Sequence, residues 1–179
     1  MKPNHLIFLH KNSYFSSFSQ EEIARFSTHL QETSFKDGSS LFVEGANDFG
    51  WYILIEGSIV ILRDSKEGPP HTLAELTPGE AFGEMALIEN TPRMASAIAL
   101  GDVKTLRLDS VVFKRLLKEK NDVAIGLLFQ MAAVQCSRLR QITTILQKIT
   151  DEKLVQAEQE EQNIDINTAI RHRYLSTNH

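Results

Sequence analysis

Between residues 33 and 108 the sequence alternates short runs of strand-forming residues with isolated glycines, and this pattern restricts the fold more than any other feature. The runs are SLFVEG, WYILIEG, SIVILRD and HTLAEL. Short strands at close spacing, separated by turn residues, are typical of an antiparallel roll or barrel. No helical segment alternates with them, as a parallel sheet would require. We therefore predict an antiparallel β-roll resembling a jelly-roll barrel, and we expect Gly57 to supply a tight turn between two strands.

Helical patterns flank this region on both sides, so the predicted fold class is α+β. On the N-terminal side, Ser19 is a candidate N-cap, two glutamates follow it, and apolar residues recur at helical spacing. On the C-terminal side one helix begins after Asp109 or Ser110, and a second begins near Asn121 or Asp122. We expect an N-terminal helix, then the roll, then C-terminal helices of which the last is long.

Changes in composition divide the chain into four predicted segments. Residues 1–18 are a lead-in, and residues 19–120 form the roll with its flanking helices. Residues 121–149 form the long helix, and residues 150–179 are a polar and partly disordered extension.

The long helix carries apolar residues at alternating spacings of four and three, which is typical of a coiled-coil seam. The seam positions are Leu128, Ala132, Gln135, Leu139, Ile142, Leu146 and Ile149. We predict a homodimer through residues 123–149. The alternative is a single helix that packs on its own domain.

Charge and hydropathy limit the classes of partner. The chain has 19 Lys and Arg against 23 Asp and Glu, for a net charge of −4, and this balance argues against a nucleic-acid surface. No segment approaches the apolar length of a membrane span, and the N-terminal LIFL is too short for a signal peptide. The single Cys136 excludes a framework of intramolecular disulfides. We expect a cytoplasmic protein that contacts neither membrane nor nucleic acid.

Residues 82–99, FGEMALIENTPRMASAIA, set one acid and one base into an apolar segment. Gly83 permits an unusual backbone dihedral, and EMALI can form one or two helical turns whose free N–H groups attract a phosphate. Arg93 follows a loop and can fold back to bind the same phosphate. Glu84 fits beside a phosphate only if it accepts hydrogen bonds, from Arg93 or from the hydroxyls of a ribose. The segment therefore predicts a site for a sugar phosphate of low charge.

The longer segment PGEAFGEMALIENTPRMASA closely resembles the phosphate-binding cassette of cyclic nucleotide-binding domains. That family includes the regulatory subunits of cyclic-AMP-dependent kinase, cyclic-nucleotide-gated channels and bacterial catabolite activator proteins. FKDGSSLFVEGA and WYILIEGSIVI are similar to its early strands, so the resemblance covers about residues 14–149. It implies a β-roll that binds a cyclic nucleotide, with no other cofactor, no metal and no catalytic residues.

The resemblance also implies roles for individual residues. Arg93 is expected to pair with the exocyclic phosphate oxygens, and Glu84 to accept a bond from the ribose 2′-hydroxyl. The backbone amides that complete the cradle are those of Gly83, Glu84, Ala86 and either Met94 or Ala95. The expected pocket wall consists of Leu73, Ala74, Leu76 and Met85. The similarity of FQMA to the corresponding helix of the bacterial activators places Arg138 and Leu139 near the base.

Met94 departs from the family pattern. The residue after the arginine is often Ala, Ser or Thr in members that bind nucleotide, and a hydroxyl there accompanies a preference for cyclic GMP. Methionine offers no hydroxyl, so we expect cyclic AMP in preference to cyclic GMP.

A nucleotide pocket without catalytic acid–base groups indicates a sensor and not an enzyme. The ligand is expected to shift the C-terminal helices and so to signal to a dimer partner, an effector protein or a missing effector domain. One alternative is a nucleotide-independent dimeric scaffold, in which Glu84 and Arg93 pair only to close a loop. Another is a truncated regulator of the catabolite activator type, since the tail after Ile149 is too short for a helix-turn-helix domain. His29 and His71 are isolated, which argues against a metal site.

Overall fold

A computed structural model of the chain describes the backbone of residues 3–176 and the side chains of residues 5–153. Helices precede and follow a six-stranded sheet along the chain. In chain order the elements are α1 (Pro3–Lys11), a 3-10 turn (Ser13–Phe15), α2 (Gln20–Ser27), β1 (Gln31–Phe35), β2 (Ser40–Phe42), β3 (Trp51–Arg63), β4 (His71–Leu76), β5 (Ala81–Phe82), α3 (Glu84–Glu89), β6 (Ser96–Leu108), α4 (Ser110–Lys118) and α5 (Asp122–Ser176).

The sheet is built on its two longest strands, β3 and β6, which pair with each other over most of their length. β1 and β2 pair with the other edge of β6, while β4 and β5 pair with the other edge of β3. Every strand pairing in the described part of the chain is antiparallel. The predicted α+β class, with an antiparallel sheet between flanking helices, is confirmed.

Gly57 does not form the predicted turn, because β3 continues through it as one strand from Trp51 to Arg63. The register between β3 and β6 shifts between Leu54 and Glu56 and again between Glu56 and Ser58, the pair that flanks this glycine, which has a φ of 84°. A Cβ here would lie 2.6 Å from the carbonyl oxygen of Asp102 on β6. Gly57 therefore lies at an irregularity of the β3–β6 pairing, where the absence of a side chain lets the β6 backbone stay close.

The predicted helix starts are confirmed by their caps. Ser19 caps α2 in a full capping box with Glu22. Asp109 caps α4, where its Oδ1 atom accepts a hydrogen bond from the amide of Val111 at 2.8 Å. These side chains satisfy amide groups that the first turn of a helix leaves unpaired.

The N-terminal lead-in contributes to the core of the roll. Tyr14 and Phe15 are buried, and their rings lie 5.2 and 6.4 Å from the ring of Trp51 at the start of β3. Aromatic contacts of this kind fix the position of the segment by burying a large apolar area.

The chain forms two compact units, Met1–Met131 and Ala132–His179. Helix α5 extends to Ser176, so residue 149 is not a helix end. Residues 150–162 are rich in Glu and Gln, which favour helix, and this explains the continuation. The last three residues of the predicted extension lie outside the described residues. Within the described chain, no helix combines the length and the apolar character that crossing a membrane requires.

Candidate functional site

The cassette segment folds as strand β5, one glycine in the left-handed region and the short helix α3. Gly83 has a φ of 84° and a ψ of 12° and stands at the N-cap of α3, which begins at Glu84. The predicted unusual dihedral and the predicted helical turns are both confirmed. Glu84 is only 3% exposed, so its side chain belongs to the interior of the site. The first amides of α3 and the side chain of Glu84 therefore lie at the same place.

Arg93 folds back onto the start of α3, as the sequence predicts. Its side chain is 3% exposed. Nη1 donates to the Gly83 carbonyl oxygen at 3.2 Å, while Nη2 donates to the Gly50 carbonyl oxygen at 2.6 Å and to Asp48 Oδ2 at 2.9 Å. The guanidinium lies over the ring of Phe42, 3.8 Å from its centroid. The arginine is thus held by packing on one face and by hydrogen bonds along its edge.

One donor of this guanidinium has no partner. The Nε atom of Arg93 is buried and makes no hydrogen bond to any described residue. A buried donor left unsatisfied costs about 1–3 kcal/mol, and more when the group is charged. A phosphate oxygen is an acceptor that matches the charge and the planar geometry of the guanidinium. The residues present therefore fit a phosphate-bearing ligand.

Asp48, on the loop between β2 and β3, joins Arg93 to a second arginine. Its Oδ2 atom accepts from Arg93 Nη2 and from the Tyr52 hydroxyl, both at 2.9 Å. Its Oδ1 atom accepts from Arg107 Nη2 at 2.9 Å. Arg107 also donates from Nε to the Tyr52 hydroxyl oxygen at 3.1 Å and from Nη1 to Asp109 Oδ2 at 3.1 Å. The cassette arginine is therefore one end of a continuous polar network.

Sequence reasoning missed Asp48, Tyr52 and Arg107. Asp48 lies on the loop that leads into β3. The other two are found from the strand register, in which Tyr52 on β3 lies opposite Arg107 on β6 and opposite Phe82 on β5. This row leads directly to Gly83, the residue that follows Phe82. No local motif encodes the row, because its members come from three separate strands.

Burial acts to raise the pKa of Asp48, but the hydrogen bonds from Arg107 and Arg93 outweigh it and lower the pKa to about 2. For Tyr52, burial and the adjacent Asp48 carboxylate raise the pKa. At neutral pH the carboxylate is therefore ionised and the phenol is a hydrogen-bond donor.

We expect the replacement Asp48→Asn to lower the free energy of unfolding at neutral pH by about 2 kcal/mol. The folded-state pKa lies below the ordinary aspartate value of 3.8, so the stabilisation is complete above that value and is lost as the pH falls toward about 2. The difference between the variant and the wild type should therefore shrink over this acid range. Chemical denaturation at a series of pH values measures it, and Asp64→Asn, an exposed carboxyl, is the control. A difference that persists unchanged to the acid end would contradict the network.

The structure brings the predicted cradle residues together and spreads the predicted pocket wall over two elements. Ala86 lies in α3 and is buried, whereas Met85 is 40% exposed. Leu73, Ala74 and Leu76 lie on β4; Leu73 is 55% exposed and Leu76 is 6% exposed. The remaining predicted residues follow Arg93 in the chain or lie on α5 in the second unit: Met94, Ala95, Arg138 and Leu139. Their ligand contacts stay predictions.

A family model described as "Cyclic nucleotide-binding domain" matches residues 32–120. The cAMP-dependent protein kinase regulatory subunit of Dictyostelium discoideum is 31% identical over 112 residues, which is 61% of this chain. The match spans only 34% of that relative, so the chain corresponds to about a third of the length of this curated protein.

Two of the solved structures with a similar fold illustrate the likeness. The catabolite activator protein of Thermus thermophilus is 29% identical, with a TM-score of 0.68 over 76% of this chain and 62% of that chain. The regulatory domain of Toxoplasma gondii PKA, crystallised with cAMP, is 30% identical, with a TM-score of 0.60 over 73% of this chain and 49% of that chain.

Proposed function

Because the chain belongs to the cyclic nucleotide-binding domain family, we propose that it is a non-catalytic sensor that binds a cyclic nucleotide at the start of α3. The observation that carries this proposal is the buried Arg93 with its unpartnered Nε atom, placed beside the first amides of a helix. Arg93 pairs with the exocyclic oxygens of the cyclic phosphate, and the amides of the cassette complete the cradle.

The ribose binds at Glu84, whose nearly complete burial suits a carboxylate that accepts a bond from the 2′-hydroxyl. We propose cyclic AMP as the preferred nucleotide, because Met94 offers no hydroxyl to a guanine base. Two similar proteins support this choice: one is named a cAMP-dependent kinase regulatory subunit, and the other was crystallised with cAMP.

Thermal unfolding with added nucleotide tests both the binding of a cyclic nucleotide and the preference for cyclic AMP over cyclic GMP. A ligand present at 100 times its dissociation constant stabilises the folded state by about 2.7 kcal/mol. We expect cyclic AMP to raise the melting temperature more than cyclic GMP does at equal concentration. 5′-AMP is the matched control, because it has the same base and sugar without the cyclic phosphate. An equal response to cyclic AMP and cyclic GMP would contradict the preference, and no response to either would contradict the proposal.

The signal is proposed to leave through the C-terminal helices, toward a dimer partner, an effector protein or an effector domain outside this chain. The proposed homodimer forms through residues 123–149. Its support is the apolar seam of α5, where Leu139, Ile142, Leu146 and Ile149 are 68%, 54%, 58% and 44% exposed. A second copy of the same helix would bury these side chains in a coiled coil.

The dimer is tested with Ile142→Glu, which places a charge in the apolar seam. We expect this variant to sediment as a monomer at concentrations at which the wild type is a dimer, because a buried unpaired charge opposes association. Gln141→Glu adds the same charge at the neighbouring exposed position, outside the seam, and should leave the dimer intact. Analytical ultracentrifugation distinguishes them. A monomeric wild type, or a dimeric Ile142→Glu variant, would refute this interface.

A further inference from the structure

Asp48 is shared by two arginines, and only one of them belongs to the cassette. Arg93 reaches it from the segment after α3, whereas Arg107 reaches it from the end of β6. Two residues after Arg107 stands Asp109, the N-cap of α4. The second arginine therefore lies between the proposed phosphate site and the first of the C-terminal helices.

The contacts between these groups are continuous. Arg93 donates to one oxygen of Asp48 at 2.9 Å, and Arg107 donates to the other oxygen at 2.9 Å. Arg107 then donates to Asp109 Oδ2 at 3.1 Å, and Asp109 Oδ1 accepts from the Val111 amide in the first turn of α4 at 2.8 Å. Charge-assisted hydrogen bonds are stronger than neutral ones. A shift of one side chain in this series can therefore move the side chain to which it is hydrogen-bonded.

Gly50 provides the space that Arg107 occupies. A Cβ at Gly50 would lie 2.5 Å from Arg107 Nε, and this atom donates instead to the Tyr52 hydroxyl oxygen. The guanidinium thus serves three acceptors in three directions: Tyr52, Asp48 and Asp109. A planar guanidinium can hold this arrangement, whereas the single ammonium group of a lysine cannot.

We propose that Arg107 is a positioning residue that, through Asp48, orients the phosphate-binding Arg93 and couples it to the N-terminus of α4. This inference rests on the proposed function, in which Arg93 holds the phosphate. When Arg93 donates to a phosphate, Asp48 keeps Arg107 as its cationic partner. The hydrogen bonds that Arg107 donates to Asp48 and to Asp109 then change in relative strength. As a result, Arg107 fixes Asp109, the N-cap of α4, more or less firmly than before.

The test compares Arg107→Met with Lys104→Met. Lys104 lies on the same strand but pairs with Glu56, outside the network, so it is the matched control. Arg107→Lys is a second variant that keeps the charge and loses the three-way geometry. Two quantities are measured on the full chain: the affinity for cyclic AMP, and the hydrogen exchange rate of the Val111 amide with and without saturating cyclic AMP.

We expect both Arg107 variants to bind cyclic AMP about 5-fold or more weakly than Lys104→Met and the wild type. Saturating cyclic AMP should change the exchange rate of the Val111 amide in the wild type and in Lys104→Met, and leave it unchanged in the Arg107 variants. A merely structural role would not produce this loss of response in a protein that still binds. The inference would be overturned if the Arg107 variants bound cyclic AMP with wild-type affinity and showed the wild-type change in the exchange rate of the Val111 amide.

Failure of the proposed function is distinguishable from failure of this coupling. If the wild type bound no cyclic nucleotide, the proposed function would fail, and the exchange rates without nucleotide would still decide whether the network connects Asp48 to α4. In that measurement Asp48→Asn should accelerate exchange of the Val111 amide as Arg107→Met does. Equal rates in Asp48→Asn and the wild type would overturn the connection.

Discussion

Replacing Arg93 with alanine is expected to weaken cyclic AMP binding by about 30-fold or more. Truncating one partner of a buried, hydrogen-bonded charge pair costs about 2–5 kcal/mol, and each 1.4 kcal/mol is a factor of ten in affinity. Arg93 is buried and has an unpartnered Nε atom. The cassette segment contains no other Lys or Arg that could replace it. Equilibrium titration with cyclic AMP measures the loss.

Two further variants make this result specific. Arg93→Lys keeps the charge and lacks the planar fork, so we expect it to bind more weakly than the wild type and better than Arg93→Ala. Arg25→Ala removes an exposed arginine from α2 and should bind like the wild type. Since Arg93→Ala also removes three hydrogen bonds, its folding is checked by denaturation before the titration. A folded Arg93→Ala variant with wild-type affinity would remove this residue from the site.

Gly83→Ala is expected to lower the free energy of unfolding by about 2–4 kcal/mol and to weaken nucleotide binding as well. The residue has a φ of 84°, where a side chain is strained, at a cost of about 1–3 kcal/mol. The added Cβ would lie 2.5 Å from Arg93 Nη1 and 2.9 Å from the Gly50 carbonyl oxygen, and overpacking of this kind costs about 1–3 kcal/mol more. Denaturation in urea measures the change in stability.

Gly38→Ala separates the two causes. Gly38 has a similar φ of 71°, but no atom lies within 4 Å of the Cβ that the substitution would add. This control therefore carries the backbone strain alone, and it should be less destabilising than Gly83→Ala and neutral for nucleotide binding. If the two variants lost the same stability, the close approach of Gly83 to Arg93 would contribute nothing.

The features that the sequence predicts correctly are those with local causes. The cap at Ser19, the cap at Asp109 and the helical turns after Gly83 each depend on residues within one turn of the chain. Gly57 shows the limit of such reasoning. A glycine with positive φ suits a turn and an irregular point within a strand equally, and the choice depends on the Asp102 backbone, which comes close only in the folded sheet.

The cassette was predictable and the network behind it was not. Glu84 and Arg93 occur in one segment, and its glycine, its helical turns and its arginine together predict a phosphate site. Asp48 is 45 residues from Arg93 and 59 residues from Arg107, and it is brought to them by the loop before β3 and by the register of β6. The sequence contains each of these charges, but their pairing depends on contacts between strands that no spacing rule specifies.

Titration calorimetry of the nucleotide-stripped wild-type chain with cyclic AMP directly tests whether this domain binds a cyclic nucleotide. We expect heat that saturates at one site per chain, with micromolar affinity or better (about 8 kcal/mol of binding free energy), and a weaker response to cyclic GMP. Folded protein that gives no saturable heat with either nucleotide would contradict the proposed nucleotide site. The nucleotide-independent dimeric scaffold would then explain the fold better.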